Sequence, residues 1–299
     1  MDGIIPLYKE RGMTSFDCVK RVRALTGERK CGHSGTLDPD VDGVLPICLG
    51  KATKVVPFLQ RSGKQYQGEL LVGRSTTTED ASGEPVDEKA VDKPIAKEKI
   101  QEAMTSLTGT ITQTPPMYSA VKVDGKRLYE YARAGQTVKR PQRQVEIKKF
   151  DLMGTDYDSK SQTQRIRVNV ECSKGTYIRT LLVDLAAKLG YPGSMTRLTR
   201  LQSGGFNLDQ TLSLEDVRDA ITAGTLKNYL LPLDYALQDY PSVDLKTKQW
   251  SAVKHGGWLK PKELQTQASP VAVKYDGRIK ALYQLRDGVY KPLKMFETE

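Results

Sequence analysis

The sequence predicts an α+β protein that ends in a small β-rich unit, and three observations carry the prediction. Residues 65–73 alternate, with Tyr66, Gly68, Leu70 and Val72 on one face, and residues 165–172 repeat the pattern with Ile166, Val168 and Val170; a period of two is the mark of a strand. Directly after the second run, Ile178, Leu181, Leu182, Leu185 and Leu189 form one stripe at helical spacing, and Gly190 stops it. Residues 250–299 contain short alternating segments, such as Val271, Val273 and Tyr275, separated by the turn pairs Asp276-Gly277 and Asp287-Gly288.

The remaining elements follow in order. Residues 14–27 read as the first helix, because Thr14 and Asp17 match a capping box and Gly27 suits the position just past the end. Residues 44–49 are apolar enough for a short buried strand, and residues 76–88 read as a polar loop containing Gly and Pro. Ile100, Met104 and Leu107 have helical spacing before Gly109, and Ser213 with Asp216 starts a helix that ends near Gly224. This divides the chain into a main unit, 1–240, with a distinct stretch at 112–143, and a second unit, 241–299.

A chain of 299 residues can bury roughly 75% of its unfolded surface. With 38% hydrophobic and 27% charged residues, wholesale disorder is excluded. The formal net charge of +10 favours a polyanionic partner, most often nucleic acid. Cys18, Cys31, Cys48 and Cys172 make no C-x-x-C pair, and two histidines are too few to complete a Cys/His zinc site with them. Such thiols fit a reducing, cytoplasmic setting. The opening Met1-Asp2-Gly3-Ile4-Ile5-Pro6 does not resemble a secretory leader, and no apolar run approaches the ~20 residues that span a membrane.

The segment Gly32-His33-Ser34-Gly35-Thr36-Leu37-Asp38-Pro39 carries the chemistry. Gly35, and Gly43 beyond it, permit turns that other residues resist, and Pro39 confines Asp38 to extended or turn geometry. The result is a single carboxylate held rigidly beside His33. Farther on, Lys122, Lys126, Arg127, Lys139, Arg140 and Arg143 interleave with Tyr118, Tyr129 and Tyr131. Basic residues mixed with aromatics suit a groove that follows phosphates and stacks bases.

Four motifs in order now give a specific resemblance over roughly residues 1–210. The Asp38 segment, Lys64-Gln65-Tyr66, Ser173-Lys174-Gly175-Thr176-Tyr177-Ile178-Arg179-Thr180, and Leu198 with Arg200-Leu201 resemble the signatures of bacterial tRNA pseudouridine-55 synthases of the TruB type. The resemblance implies a pseudouridine synthase fold: a mainly antiparallel mixed sheet flanked by helices, with a PUA-like RNA-binding unit at the C-terminal end. It implies a cofactor-free, metal-free isomerase. Asp38 is then the nucleophile, or the partner of a developing sugar cation. Arg179 keeps that carboxylate ionised and oriented. Tyr66 stacks on the target uracil and is placed to carry a proton. His33, Lys64, Tyr177 and Leu198 are substrate-binding, and Lys174, Arg197 and Arg200 join the basic residues of 112–143 on the RNA backbone, with Lys148 and Lys149 beside them.

The implied substrate is the T-loop uridine of tRNA, extruded from its stack at a cost of a few kcal/mol. The chain is expected to act as a monomer, without guide RNA or protein partner. Val41 and Asp42 depart from the common pattern after Asp38-Pro39. Asp42 is expected to face solvent or cap a turn, because a second carboxylate aimed at Asp38 would raise its pKa.

Rival readings fare worse. Gly50-Lys51-Ala52-Thr53 lacks P-loop spacing and the magnesium-binding hydroxyl. Asp38, Asp40 and Asp42 mimic a glycosidase pair only on paper. The serious alternative is an RNA-binding or RNA-folding protein for which catalysis is secondary.

Overall fold

The computed structural model describes residues 1–298. The strands β1 (Gly3–Lys9), β2 (Cys31–His33) and β3 (Asp42–Leu49), with helix α1 (Ser15–Thr26) after the first, are followed by the single turn α2 (Val56–Leu59) and β4 (Lys64–Val72). A hairpin of β5 (Arg74–Thr76) and β6 (Pro85–Glu88), helix α3 (Lys97–Thr105) and β7 (Gly109–Gln113) lead to a second hairpin, β8 (Lys122–Val123) and β9 (Lys126–Arg127), and helix α4 (Leu128–Arg133). Next come β10 (Arg143–Asp158), β11 (Thr163–Cys172), α5 (Ile178–Leu189), β12 (Gly193–Ser203), β13 (Phe206–Asn207) and α6 (Leu214–Thr222). The chain closes with β14 (Ser242–Asp244), α7 (Thr247–Val253), α8 (Pro261–Leu264), β15 (Val271–Tyr275), β16 (Arg278–Arg286) and β17 (Val289–Met295).

The large sheet runs β1-β3-β12-β4-β11-β10-β7, with β2 on β3 and β13 on β12. Its neighbours are antiparallel except β3 and β12, which meet in parallel over two pairs, Thr199 with Asp42 and Arg200 with Gly43. The expected mixed, mainly antiparallel sheet is therefore present. Its burial follows the alternation: Leu70, Val72, Ile166 and Val168 are fully enclosed against Leu181, Leu182 and Leu185 of α5. Each such side chain contributes about 1.5–3 kcal/mol relative to exposure.

Local signals place the helix ends. The Thr14 side chain accepts from the Asp17 amide, Asp17 answers the Thr14 amide, and Gly27 closes α1 at φ +69°. Ser213 and Asp216 repeat the box at α6.

One expectation changes. Residues 76–88 are not an open loop, because their ends pair as β5 and β6. The hydroxyls of Thr78 and Ser82 both donate to Asp80 Oδ1, at 2.6 and 2.5 Å, and fold the intervening turn tightly. Trp250 lies in α7, where Gln249 caps the Lys246 amide, and it stacks on Tyr275 at 5.2 Å. The four-stranded sheet β14-β15-β16-β17 has the expected turns at Asp276-Gly277 and Asp287-Gly288, all four residues at positive φ. It shares a core with the large sheet: Ala272, Ile279, Leu282 and Phe296 pack with Ile4, Val44, Cys48 and Phe58. Residues 114–142 form an arm, since β7 and β10 pair directly at its base, Gln113 with Arg143.

Candidate active site

Asp38 lies on the loop between β2 and β3, and several backbone groups of that loop are tied down. Ser15 Oγ accepts from the Leu37 amide at 2.8 Å and donates to its carbonyl at 3.1 Å. Lys9, fully buried at the end of β1, donates from Nζ to the carbonyls of Pro39 at 3.0 Å and Val41 at 2.7 Å. The Gly12 amide also donates to the Pro39 carbonyl at 3.0 Å. Arg200 donates to the carbonyls of Val44 at 2.8 Å and Gly35 at 3.1 Å. The His33 ring takes part through Nδ1, which accepts from the Gly35 amide at 3.2 Å and leaves the proton of the neutral ring on Nε2.

The second half of the site comes from the first turn of α5. Arg179 is 5% exposed, and its Nε lies 3.0 Å from Asp38 Oδ2. Its other nitrogens donate to the carbonyls of Thr78 at 2.7 Å and Tyr118 at 2.9 Å, and Asp80 Oδ2 stands 3.6 Å away. A guanidinium is suited to this task because its planar fork reaches several acceptors at once. The Thr78–Asp80 turn is in turn docked on β12: the amides of Met195 and Ala81 donate to the carbonyls of Glu79 and Met195, at the point where β12 bulges. The Asp38 side chain keeps 42% of its surface open. Crowding of the carboxyl raises its pKa from the ordinary value, Arg179 pulls it back and Asp80 pushes it further up.

Tyr66 lies on β4 directly opposite Arg200 of β12 and Val170 of β11. Burial raises its phenol pKa; Arg200 counters this and the nearby Asp38 adds to it. Leu198 is buried opposite Gly68, where a Cβ would come within 3.4 Å of its Cδ1. Tyr177 immediately precedes α5, and Gln113 clamps its backbone with Nε2 on the carbonyl at 3.2 Å and Oε1 on the amide at 3.0 Å. Lys64 is buried, with Nζ donating to the carbonyls of Gln60 at 3.3 Å and Ser62 at 3.4 Å. Burial, Arg200 and Lys174 bring its pKa down to about 8.

Asp38, Arg179, Tyr66, Leu198 and Tyr177 thus come from one loop, one strand-to-helix turn and two central strands of the sheet. Two expectations are corrected. Arg200, expected on the RNA backbone, is fully enclosed and uses its donors on the carbonyls of the Asp38 loop, so a phosphate cannot reach it from solvent. Asp42, expected to face solvent or cap a turn, is buried at 7% exposure and pairs with Arg11 at 3.1 Å, because it opens β3 and lies opposite Thr199 of β12 inside the sheet. Tyr129 and Tyr131 are half-buried: Arg127 and Arg133 lie 5.7 and 5.4 Å from the Tyr129 ring, Lys126 lies over Tyr131, and the Tyr131 hydroxyl donates to the Val123 carbonyl.

Of the other basic residues, Lys122, Lys126, Arg127, Lys139, Arg143, Lys174 and Arg197 are exposed. Arg140 is half-buried and ties the arm to its base through the Pro115 carbonyl at 3.0 Å. Lys148 and Lys149 are exposed on β10, and Lys148 faces Glu171 at 3.8 Å. Sequence reasoning did not find Lys9, Ser15, Asp80 or Gln113. Lys9 alone left a trace, as a charge closing an otherwise apolar strand.

The geometry agrees with what the chain resembles. Residues 23–178 match the family model described as TruB family pseudouridylate synthase (N terminal domain). Residues 179–238 match the one described as tRNA pseudouridylate synthase B C-terminal domain. The chain is 64% identical over 298 residues to a tRNA pseudouridine synthase B of Limosilactobacillus reuteri, covering 99% of each chain. It is 53% identical to a protein of that name from Levilactobacillus brevis, again over 99% of each. Among solved structures, that of a Cbf5-Nop10-Gar1 complex aligns with a TM-score of 0.76 at 25% identity, covering 99% of this chain and 85% of the other. With two family models end to end, full-length relatives and a site in which the expected carboxylate and guanidinium are in contact, the chain belongs to the TruB family of pseudouridylate synthases.

Proposed function

We propose that this protein isomerises the T-loop uridine of tRNA, U55, to pseudouridine, acting alone and as a monomer in the cytoplasm. The single observation that carries the proposal is the contact between Asp38 and Arg179, an anion held at an open edge beside Tyr66. The reaction breaks the bond between C1′ and N1 of uracil and forms one between C1′ and C5, while C5 loses its proton and N1 gains one. It needs a nucleophile or counter-anion, a surface that keeps the detached uracil in place, and a proton carrier. Asp38 serves as the anion, kept ionised and aimed by Arg179. Tyr66, Tyr177 and Leu198 line the space for the base, and the buried Tyr66 hydroxyl is positioned for proton transfer from C5.

The names of the full-length relatives support tRNA as the substrate. The exposed cations of the arm, with Lys174 and Arg197, support a polyanion whose backbone is followed by charge. In this reading residues 1–240 perform catalysis and residues 241–299 add an RNA-binding surface. No helix among the described residues is long and apolar enough to cross a membrane. The test is incubation of the purified protein with unmodified tRNA transcript, followed by mapping of pseudouridine. The expected product is pseudouridine at the T-loop uridine without any added RNA or protein. Tight binding without product would reject catalysis and leave an RNA-folding role.

A further inference from the structure

Helix α1 turns one face away from the core. Its buried side is Ser15, Cys18, Val19 and Val22. Phe16, Lys20, Arg23 and Gly27 lie on the other side, at the spacing of a single stripe, and all four are exposed. Phe16 keeps 55% of its surface open. Lys20 Nζ stands 5.0 Å from its ring centroid, so a cation already lies over one face of the ring. The stripe runs into a shallow groove of about 330 Å³ lined by Lys20, Arg23, Ala24, Gly27, Glu28 and Arg29. A Cβ built at Gly27 would meet nothing within 4 Å, so the groove is open there.

The charge of this surface is one-sided. Its two acids are already engaged: Asp17 accepts from the Thr14 amide and hydroxyl and lies 3.7 Å from Lys20, and Glu28 holds the N-terminal amine at 2.7 Å. Arg23 and Arg29 stand outside both pairs, and Arg21 and Lys30, their near neighbours in the chain, are exposed as well. Such a surface complements a polyanion. The exposed ring adds what charge alone does not supply, a plane on which a base can stack. The same helix is fastened to the catalytic loop. Ser15, next to Phe16, exchanges hydrogen bonds with the backbone of Leu37 at 2.8 and 3.1 Å, and the Gly12 amide donates to the Pro39 carbonyl at 3.0 Å. The residues on both sides of Asp38 are therefore held at the start of α1. From Phe16 to Gly27 the helix leads about 16 Å along from that anchor.

We propose that this face of α1 is a second contact for the RNA: Phe16 stacks on an unpaired base near the flipped nucleotide, and Lys20, Arg23 and Arg29 follow the adjoining backbone phosphates along the helix. The identification of the ligand as RNA rests on the function proposed above. Extrusion of the target uridine strips its neighbours of a stacking partner, and an aromatic ring beside the site offsets part of that cost. An unpaired segment suits the surface better than a duplex, because paired bases keep their faces on one another.

The full chain in an Asp38→Asn background, which blocks turnover, is titrated with full-length tRNA transcript from about 50 to 200 mM salt. Phe16→Leu keeps an apolar side chain and good helix propensity but offers no aromatic face. It should bind about tenfold more weakly, with an unchanged salt slope, while Phe16→Tyr stays within about threefold of the parent. Lys20→Gln and Arg23→Gln should each flatten the slope of log affinity against log salt by about 0.7–1. Transcripts carrying the fluorescent base 2-aminopurine at one unpaired position at a time should show one position that is quenched by the parent and by Phe16→Tyr but not by Phe16→Leu. Parent-like affinity of Phe16→Leu, or unchanged salt slopes in Lys20→Gln and Arg23→Gln, overturns the proposal. An equal loss by Phe16→Leu on a fully paired RNA duplex overturns the stacking role, because the effect would then not come from an unpaired base. Turnover is measured separately with Asp38 intact: product without any effect of Phe16→Leu on binding defeats this inference alone, and a Phe16-dependent contact without product defeats the isomerase reading alone.

Discussion

Replacing Gly43 by alanine tests how tightly the sheet controls the site. The residue has φ +113°, and an added Cβ would stand 2.2 Å from the carbonyl oxygen and 2.7 Å from the nitrogen of Arg200. These neighbours are backbone, so no rotamer change relieves the contact. Strain at such a φ costs about 1–3 kcal/mol for an L-residue, and forcing atoms into a closed space costs about 1–3 kcal/mol more. The expected loss of about 2–6 kcal/mol is a large part of the 5–15 kcal/mol typical of a folded domain. Gly27→Ala is the control, because Gly27 has φ +69° with nothing within 4 Å, and conformation alone costs about 1–2 kcal/mol there. Relief of the clash at Gly43 must part β3 from β12 where they meet over only two residue pairs. That disturbs the Arg200 bonds to Val44 and Gly35, so turnover should fall even where the variant remains folded. Urea unfolding measures the first effect and turnover of tRNA the second. The reasoning is refuted if Gly43→Ala is no less stable than Gly27→Ala and retains full turnover.

Other outcomes follow from the same geometry. Arg179→Lys keeps the charge but cannot reach Asp38, Thr78 and Tyr118 together; with about 1.5–3 kcal/mol for each charge-assisted bond, kcat should fall about 10²–10⁴-fold while tRNA affinity, read by filter binding, changes little. Asp38 must be ionised to act, and its pKa lies above the ordinary carboxylate value because of crowding, with Asp80 adding to the rise; kcat should therefore fall as pH drops through that raised value, and Asp80→Asn should move the acid limb to lower pH. A raised carboxyl pKa also means that the ionised group opposes folding at neutral pH and that the opposition lifts as pH falls, so Asp38→Asn should unfold no earlier than its parent in a thermal melt. Asp42→Ala removes a pair whose arginine is 40% exposed, which limits the cost to about 1 kcal/mol; turnover should stay within about threefold, and a large loss would place Asp42 in the site.

The elements that could be read from the sequence are those whose signals are local. Capping boxes at Thr14 and Ser213, the stop at Gly190 and the alternation from Tyr66 to Val72 each depend on neighbours a few residues away. The central residues of the site were legible for a different reason: Asp38, Tyr66 and Arg179 sit in segments whose residue order resembles a known family. What could not be read depends on partners far along the chain. The role of Arg200 is set by carbonyls 156 and 165 positions away, and an arginine in an alternating strand looks like a surface residue until the parallel junction with β3 buries it. Asp80 looked like part of a polar loop because its importance comes from Arg179, 3.6 Å away in space. The helix around Trp250 was not read, because a seven-residue helix is too short to show a periodic stripe.

The most direct test of the central claim is tritium release from tRNA transcript carrying uridine tritiated at C5, compared between the wild-type protein and Asp38→Asn. The account predicts release by the wild type, at one uridine per tRNA, and none by the variant despite undiminished tRNA binding. Release by Asp38→Asn at the wild-type rate would contradict it, because the carboxylate that Arg179 holds would then not be the group on which the isomerisation depends.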